Sequence, residues 1–228
     1  MPNNNVEQET LFHSMSLTKE EPCLIDFFEK TLNLRKKECL FKQGDIFDSI
    51  YIITSGSIKT FSIDKMGKEC ITGFYYKNDI VGLSAIESGY YSIYAKTLEA
   101  SSVLKVPLGI FEIMTEKNHY FKKLVLKDMS KKIAENQKKM VLLGKRSDVK
   151  IAGFLLDLSI KINKKDTNGF FRLSMSRNDI GDFLGLTVET ISRTITQFKE
   201  HGLIKTQGKH ISIINLSDVH QHSNRGNS

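Results

Sequence analysis

Ser174-Met175-Ser176-Arg177-Asn178-Asp179-Ile180-Gly181-Asp182-Phe183-Leu184-Gly185-Leu186-Thr187-Val188-Glu189-Thr190-Ile191-Ser192-Arg193 is the stretch from which the rest of this 228-residue chain is best read. Ser176 is placed to cap a helix with Asp179 in its opening turn, and Ile180, Phe183 and Leu184 give that helix one apolar face. Gly185 permits a sharp turn, and Thr187 is placed to cap the next helix. There Ile191, Ile195 and Phe198 recur at i, i+4 and i+7 and face a core, which turns Val188, Glu189, Ser192, Arg193 and Thr196 outward. The pattern is helix, tight turn, helix.

The outward side chains suit the reading of base edges. Arg193 can donate two hydrogen bonds to guanine O6 and N7, Glu189 can accept from cytosine N4, and Ser192 can serve either role. They lie near the N-terminal end of the second helix, the part of a recognition helix that enters the major groove. Ser176, Arg177, Thr187, Val188, Thr190 and Thr196 are the backbone-contacting or supporting set, with Thr187 and Thr196 assigned to phosphates. Downstream, Leu203-Ile204-Lys205, the turn Thr206-Gln207-Gly208 and Lys209 to Ile214 read as a β-hairpin with Lys205 and Lys209 at its tip, a wing against the duplex. The alternative is a small helical domain whose Arg and Glu pair on a wet surface; it leaves the agreement of caps, turn and faces unexplained.

Upstream, residues 38 to 106 form short apolar runs punctuated by glycine: Cys39–Phe41, Ile50–Ile53, Ile58–Ile63, Ile71–Tyr76 and Ile80–Val81. Runs of strand length at this spacing predict an antiparallel roll. From Lys117 to Leu143 there is neither glycine nor proline, which predicts one long helix of about 40 Å. Leu126, Met129, Ile133, Asn136, Met140 and Leu143 recur at alternating spacings of three and four, an a/d seam suited to a parallel homodimer. Phe121, Leu124 and Val125 form a second stripe that can pack the helix on its own roll; that both stripes are intramolecular core is the other reading. Asn136 is a polar seam residue of the kind that sets register at a cost in stability.

The expected organisation is α+β: an N-terminal segment (1–37), a β-roll (38–115), a dimerisation helix (116–144), a winged helix-turn-helix (147–217) and a tail (218–228). Residues 1–115 carry 12 basic and 15 acidic side chains, and residues 116–228 carry 21 and 11, so the chain's excess of positive charge sits in its C-terminal half. That asymmetry fits a polyanion, here double-stranded DNA. No apolar run has the roughly 18–20 residues of a membrane span, and the acidic first thirty residues do not read as a signal peptide, so the expected location is the cytoplasm. Cys23, Cys39 and Cys70 form neither a disulfide framework nor a C-x-x-C motif. The histidines show no H-E-x-x-H spacing, and no P-loop, nucleophile elbow or dinucleotide fingerprint is present, which argues against an enzyme.

From about Glu38 to Ile214 the chain resembles the Crp/Fnr superfamily, and Asp179-Ile180-Gly181-x-x-Leu184-Gly185-Leu186-Thr187-Val188-Glu189-Thr190-Ile191-Ser192-Arg193 resembles its Fnr branch. Leu40-Phe41-Lys42-Gln43-Gly44-Asp45, with Ile71-Thr72-Gly73-Phe74 through Asp79-Ile80-Val81-Gly82, carries the resemblance through the roll. It implies a cyclic-nucleotide-binding-like roll, a dimer helix, a winged helix-turn-helix, TTGAT half-sites in an inverted repeat read by Glu189, Ser192 and Arg193, and RNA polymerase as a further partner. An alternative, a regulatory module acting through protein contacts alone, accounts for the roll but not for residues 176–214.

Departures from the family bear on the signal. An Fnr iron-sulfur cluster takes three clustered N-terminal cysteines and one on a late strand. Here only Cys23 lies N-terminally, and Leu104 stands at the late position. The cyclic-nucleotide pattern places Glu after the glycine and an Arg-Ser pair beyond, whereas this chain has Leu83 and Tyr91-Ser92; without that cation a buried phosphate is disfavoured. Neither an iron-sulfur cluster nor cyclic AMP is therefore expected as a cofactor. Two readings of regulation stay open: an apolar or aromatic effector in a pocket lined by Leu83, Ile86, Tyr90, Tyr91, Ser92 and Tyr94, or no effector.

Overall fold

The computed structural model describes residues 31–162 and 170–215; the expectations placed on Cys23 and on the tail 218–228 lie outside the described residues. The chain divides into two compact units. One holds the described residues up to Ser62 with Gly73–Ile133, and the other holds Ile63–Thr72 with the described residues from Ala134 onward.

The first unit is a β-roll. Strands β1 (Thr31–Leu34), β2 (Cys39–Phe41), β3 (Ser49–Ser55), β4 (Ser57–Ile63), β5 (Glu69–Tyr76), β6 (Ile80–Val81), β7 (Tyr94–Thr97) and β8 (Ser101–Pro107) make two four-stranded sheets, ordered β1-β8-β3-β6 and β2-β7-β4-β5. β8 pairs antiparallel with β1 and β3, and β7 with β2 and β4. Ile50, Ile53, Ile58, Val103 and Val106 fill the interior, each almost fully removed from water. β1 precedes the expected start at Glu38: Thr31 to Leu34 add an edge to β8, a non-local pairing that four residues do not announce.

Two helices follow, α1 (Leu108–Lys117) and α2 (His119–Leu143). The long helix expected from Lys117 to Leu143 is present and unbroken from His119 onward, its start moved by two residues. Asn118 takes an extended backbone (φ −111°, ψ 100°), and its Oδ1 accepts from the Phe121 amide at 2.9 Å, so it ends one helix and caps the next. The two stripes of α2 separate cleanly. Phe121 and Val125 are buried with Leu124 against the roll core, whereas Leu126, Met129, Ile133, Asn136, Met140 and Leu143 all face outward and are exposed.

Beyond Val125 the inner face of α2 becomes charged. The Asp79 carboxylate, 5% exposed, accepts from Lys131 Nζ at 2.7 Å and from Lys132 Nζ at 3.3 Å, and from the Tyr76 amide at 3.0 Å. Burial alone would raise its pKa, but Lys132 and Lys131 outweigh burial and hold it below the usual carboxylate range. A carboxyl depressed in the folded state contributes stability above its unfolded pKa, and that contribution is lost as pH falls through the depressed value. Asp79→Ala should cost about 2–3 kcal/mol at neutral pH, toward the low end for breaking a buried pair because Lys131 is 45% exposed. Urea titrations at pH 7 and pH 3 check this: the difference between wild type and variant should shrink at the lower pH.

In the second unit, α3 (Ser147–Ile162), α4 (Arg177–Leu184) and α5 (Val188–Glu200) pack with β9 (Phe170–Arg172), β10 (Ile204–Gln207) and β11 (His210–Ile213), the strands forming a sheet ordered β10-β11-β9. Its interior includes Ile151, Leu155, Phe171, Ile180, Leu184, Ile191, Ile204 and Ile211. Among the described residues no helix is long and apolar enough to cross a membrane.

Candidate nucleic-acid interface

The helix-turn-helix is built by local hydrogen bonds that the sequence pattern anticipates. Ser176 Oγ accepts from the Asp179 amide at 3.0 Å while Asp179 Oδ2 accepts from the Ser176 amide at 2.9 Å, a reciprocal capping box at the start of α4. Gly185 closes α4 in the left-handed region (φ 65°), where a glycine carries no Cβ penalty. Thr187 Oγ1 then accepts from the Thr190 amide at 3.2 Å and caps α5.

One residue of α4, beneath the turn, has a role that the pattern did not reveal. A Cβ on Gly181 would lie 2.6 Å from the Leu186 carbonyl oxygen, while the Leu186 amide donates to the Gly181 carbonyl at 2.9 Å. The turn folds directly onto α4 at this point, and only a glycine leaves room.

Ile191, Ile195 and Phe198 anchor α5 in the core, joined by Thr194, and the opposite face is open. Glu189, Ser192 and Arg193 are all exposed on that face, within the first six residues of α5. Hydrogen bonds from the Glu189 amide and the Thr187 side chain hold the Glu189 carboxyl below its ordinary range, so at neutral pH it presents acceptors only. Val188 is exposed beside it. Thr187 is exposed and Thr190 half-buried, and both serve the cap; the Thr196 hydroxyl donates to the Ser192 carbonyl at 3.1 Å. Thr187 and Thr190 shape the start of the helix, and the hydroxyls of Thr187 and Thr196 are partly committed within the protein. Arg177 is half-buried, and its buried Nη1 has no hydrogen-bond partner.

In the wing, Gln207 stands opposite His210, leaving Gly208-Lys209 as a two-residue turn, with Gly208 at φ 60°. Lys209 is at the tip, as expected. Lys205 is not: it pairs with Ser212 on β10, back from the turn, though its side chain remains exposed. β9 completes the sheet through Phe171 opposite Ile211.

The six residues expected to line an effector pocket fall in different settings. Tyr91 belongs to the roll core: its ring stacks on Phe41 at 3.9 Å, meets Phe47 edge-on, and its hydroxyl donates to the Ser49 carbonyl. Leu83 is partly buried against that core, Ile86, Tyr90 and Ser92 lie further out, the first two largely exposed, and Tyr94 stacks at 5.1 Å on Phe61, its register partner on the adjacent strand β4. The pocket expected at Tyr91 is thus corrected to a packed ring, because a tyrosine here gains both stacking and a hydrogen bond by filling the interior.

Comparison with known proteins agrees with this architecture. Residues 31–118 match the cyclic nucleotide-binding domain family, and residues 149–220 match the Crp-like helix-turn-helix domain. The chain is 39% identical over 208 residues to the transcriptional activator protein Anr of Pseudomonas aeruginosa, covering 90% of this chain and 85% of that one. It is 38% identical over 197 residues to the fumarate and nitrate reduction regulatory protein of Salmonella typhi, covering 84% and 78%. Among solved structures, FixK2 from Bradyrhizobium japonicum superposes with a TM-score of 0.75 at 25% identity, covering 84% of this chain and 96% of that one. A CooA mutant from Carboxydothermus hydrogenoformans shares the fold, with a TM-score of 0.75 at 17% identity over 93% and 95%. With both domain families matched in this order, and with relatives at this identity along most of their length, the chain belongs to the Crp/Fnr family of transcriptional regulators, which bind DNA and are not enzymes.

Proposed function

We propose that the protein regulates transcription as a homodimer bound to an inverted repeat of TTGAT-type half-sites, with Glu189, Ser192 and Arg193 reading bases and Lys205 and Lys209 contacting the DNA backbone. The observation that carries this reading is the geometry of α5: one face sealed in the core, the other exposing an acceptor, a hydroxyl and a guanidinium near the N-terminal end. The seam supports the dimer. Ile133 is 58% exposed and Met140 75%, apolar side chains at heptad spacing that a second copy would cover. RNA polymerase is the further partner in this reading.

Binding in this reading requires neither an iron-sulfur cluster nor a cyclic nucleotide. Cys39 and Cys70 lie on separate strands, β2 and β5, rather than in a cluster of cysteines. Leu104 is packed in the core, and the Tyr91 ring occupies the interior where a phosphate would need a cation.

The test is fluorescence anisotropy of aerobically purified protein without added ligand, on a TTGAT…ATCAA duplex and on a scrambled one, at two salt concentrations. Selective binding that weakens steeply with salt is expected; equal binding to both duplexes would overturn the assignment. Arg193→Ala should weaken the specific complex by about 1–3 kcal/mol and relax preference at one base position. Lys209→Ala should instead weaken both duplexes alike and lower the salt slope by about one.

A further inference from the structure

The link between α2 and α3 is Gly144-Lys145-Arg146, three exposed residues that cannot by themselves fix how the reading pair α4–α5 sits on the last turns of α2. Side chains on the inner face of α2 supply that constraint. Lys139 Nζ stands 3.8 Å from the centre of the Phe183 ring in α4 and donates to the Ile71 carbonyl of β5 at 3.2 Å. Phe183 in turn packs on Phe154 of α3, with ring centres 5.7 Å apart. The neighbouring residue of α4, Asp182, accepts from Lys68 at 3.2 Å, next to β5 in the β4–β5 turn, and from Asn178 at 2.8 Å. Glu135, one turn earlier on α2, pairs with Lys161 of α3 at 2.9 Å.

Of these contacts, the one through Lys139 joins three elements at a single point, the end of α2, the strand β5 and the first helix of the reading pair. Burial lowers the Lys139 pKa, in keeping with an ammonium partly withdrawn from water beside the Phe183 ring and the Ile71 carbonyl. The adjoining, solvent-facing side of the same stretch of α2 carries Asn136, Met140 and Leu143 of the seam. A helix whose outer face pairs with a second copy and whose inner face grips α4 sets the separation of the two reading helices.

We propose that Lys139 is a positioning residue for DNA recognition: by holding Phe183 and the Ile71 carbonyl it fixes α4–α5 on α2, and so selects the spacing between half-sites rather than the bases within them. The inference rests on the dimeric, inverted-repeat reading above. It touches no base contact, so its loss should leave the affinity for a single half-site unchanged.

The experiment measures binding of the full-length dimer to four duplexes: the inverted repeat, the same repeat lengthened by one and by two base pairs, and a single half-site. Wild type should discriminate against altered spacing by on the order of tenfold or more, since half-sites must match the twofold geometry of the protein. Lys139→Gln should reduce that discrimination to about threefold or less at unchanged half-site affinity, and Lys139→Arg, which keeps a cation over the ring, should restore most of it. Phe183→Leu, which removes the aromatic face and keeps an apolar side chain, should act like Lys139→Gln, so the idea stays testable if either variant folds poorly. Wild-type discrimination in both variants would overturn the role of Lys139. Failure of wild type to prefer the repeat over the half-site would instead overturn the dimeric reading, and the inference with it.

Discussion

Ile133→Asp is expected to convert the protein to a folded monomer and to lower its affinity for the inverted repeat by about 10²–10⁴-fold, the contribution of linking two binding events, while a single half-site is bound as before. Ile133 lies in the middle of the seam, 58% exposed in the single chain, whereas the core contacts of α2 run through Phe121 and Val125, two to three turns earlier and on a separate stripe of the helix. The substitution therefore leaves the buried core of one chain intact. In the dimer it would bury two carboxylates against each other, a penalty that neither copy can relieve. Sedimentation velocity reads the mass, and anisotropy on full and half-sites reads the consequence. An unchanged dimer would show that this face is not where the copies meet.

Gly181→Val is expected to abolish specific binding while leaving the dimer intact. Even the first added carbon would sit 2.6 Å from the Leu186 carbonyl oxygen, a backbone atom that cannot rotate away, and the Leu186 amide is tied to the Gly181 carbonyl in the same turn. Relief requires moving the turn, and with it the N-terminal end of α5 where Glu189, Ser192 and Arg193 are mounted. Overpacking of this kind costs about 1–3 kcal/mol and sometimes more, and a shift of the reading helix removes its base contacts together. Gly185→Asn is the control. It has open space around its Cβ position and a left-handed backbone that asparagine tolerates, so its binding should stay close to wild type. Circular dichroism and thermal unfolding separate the two effects: the valine variant should lower the melting temperature and bind both specific and scrambled duplexes weakly.

The sequence alone determined the elements whose causes are local. Caps at Ser176 and Thr187, the turn at Gly185, the apolar face of α5 and the outer seam of α2 are written within a few residues of where they act, and the structure places each of them so. Tertiary structure alone decided which of the many lysines on α2 are solvated and which are committed. Lys131 finds Asp79 across 52 residues and Lys139 finds the Ile71 carbonyl across 68, and a lysine on a helix has the same local signature in either case. Tyr91 is similar: its sequence neighbours Tyr90 and Ser92 are exposed, and only the arrival of Phe41 and Ser49 from distant strands makes its position a packed interior. The room at Gly181 is set by a carbonyl that folds back over α4. Periodicity and capping describe a chain's contacts with itself at short range; burial, ion pairing and steric room depend on what the rest of the chain brings to the same place.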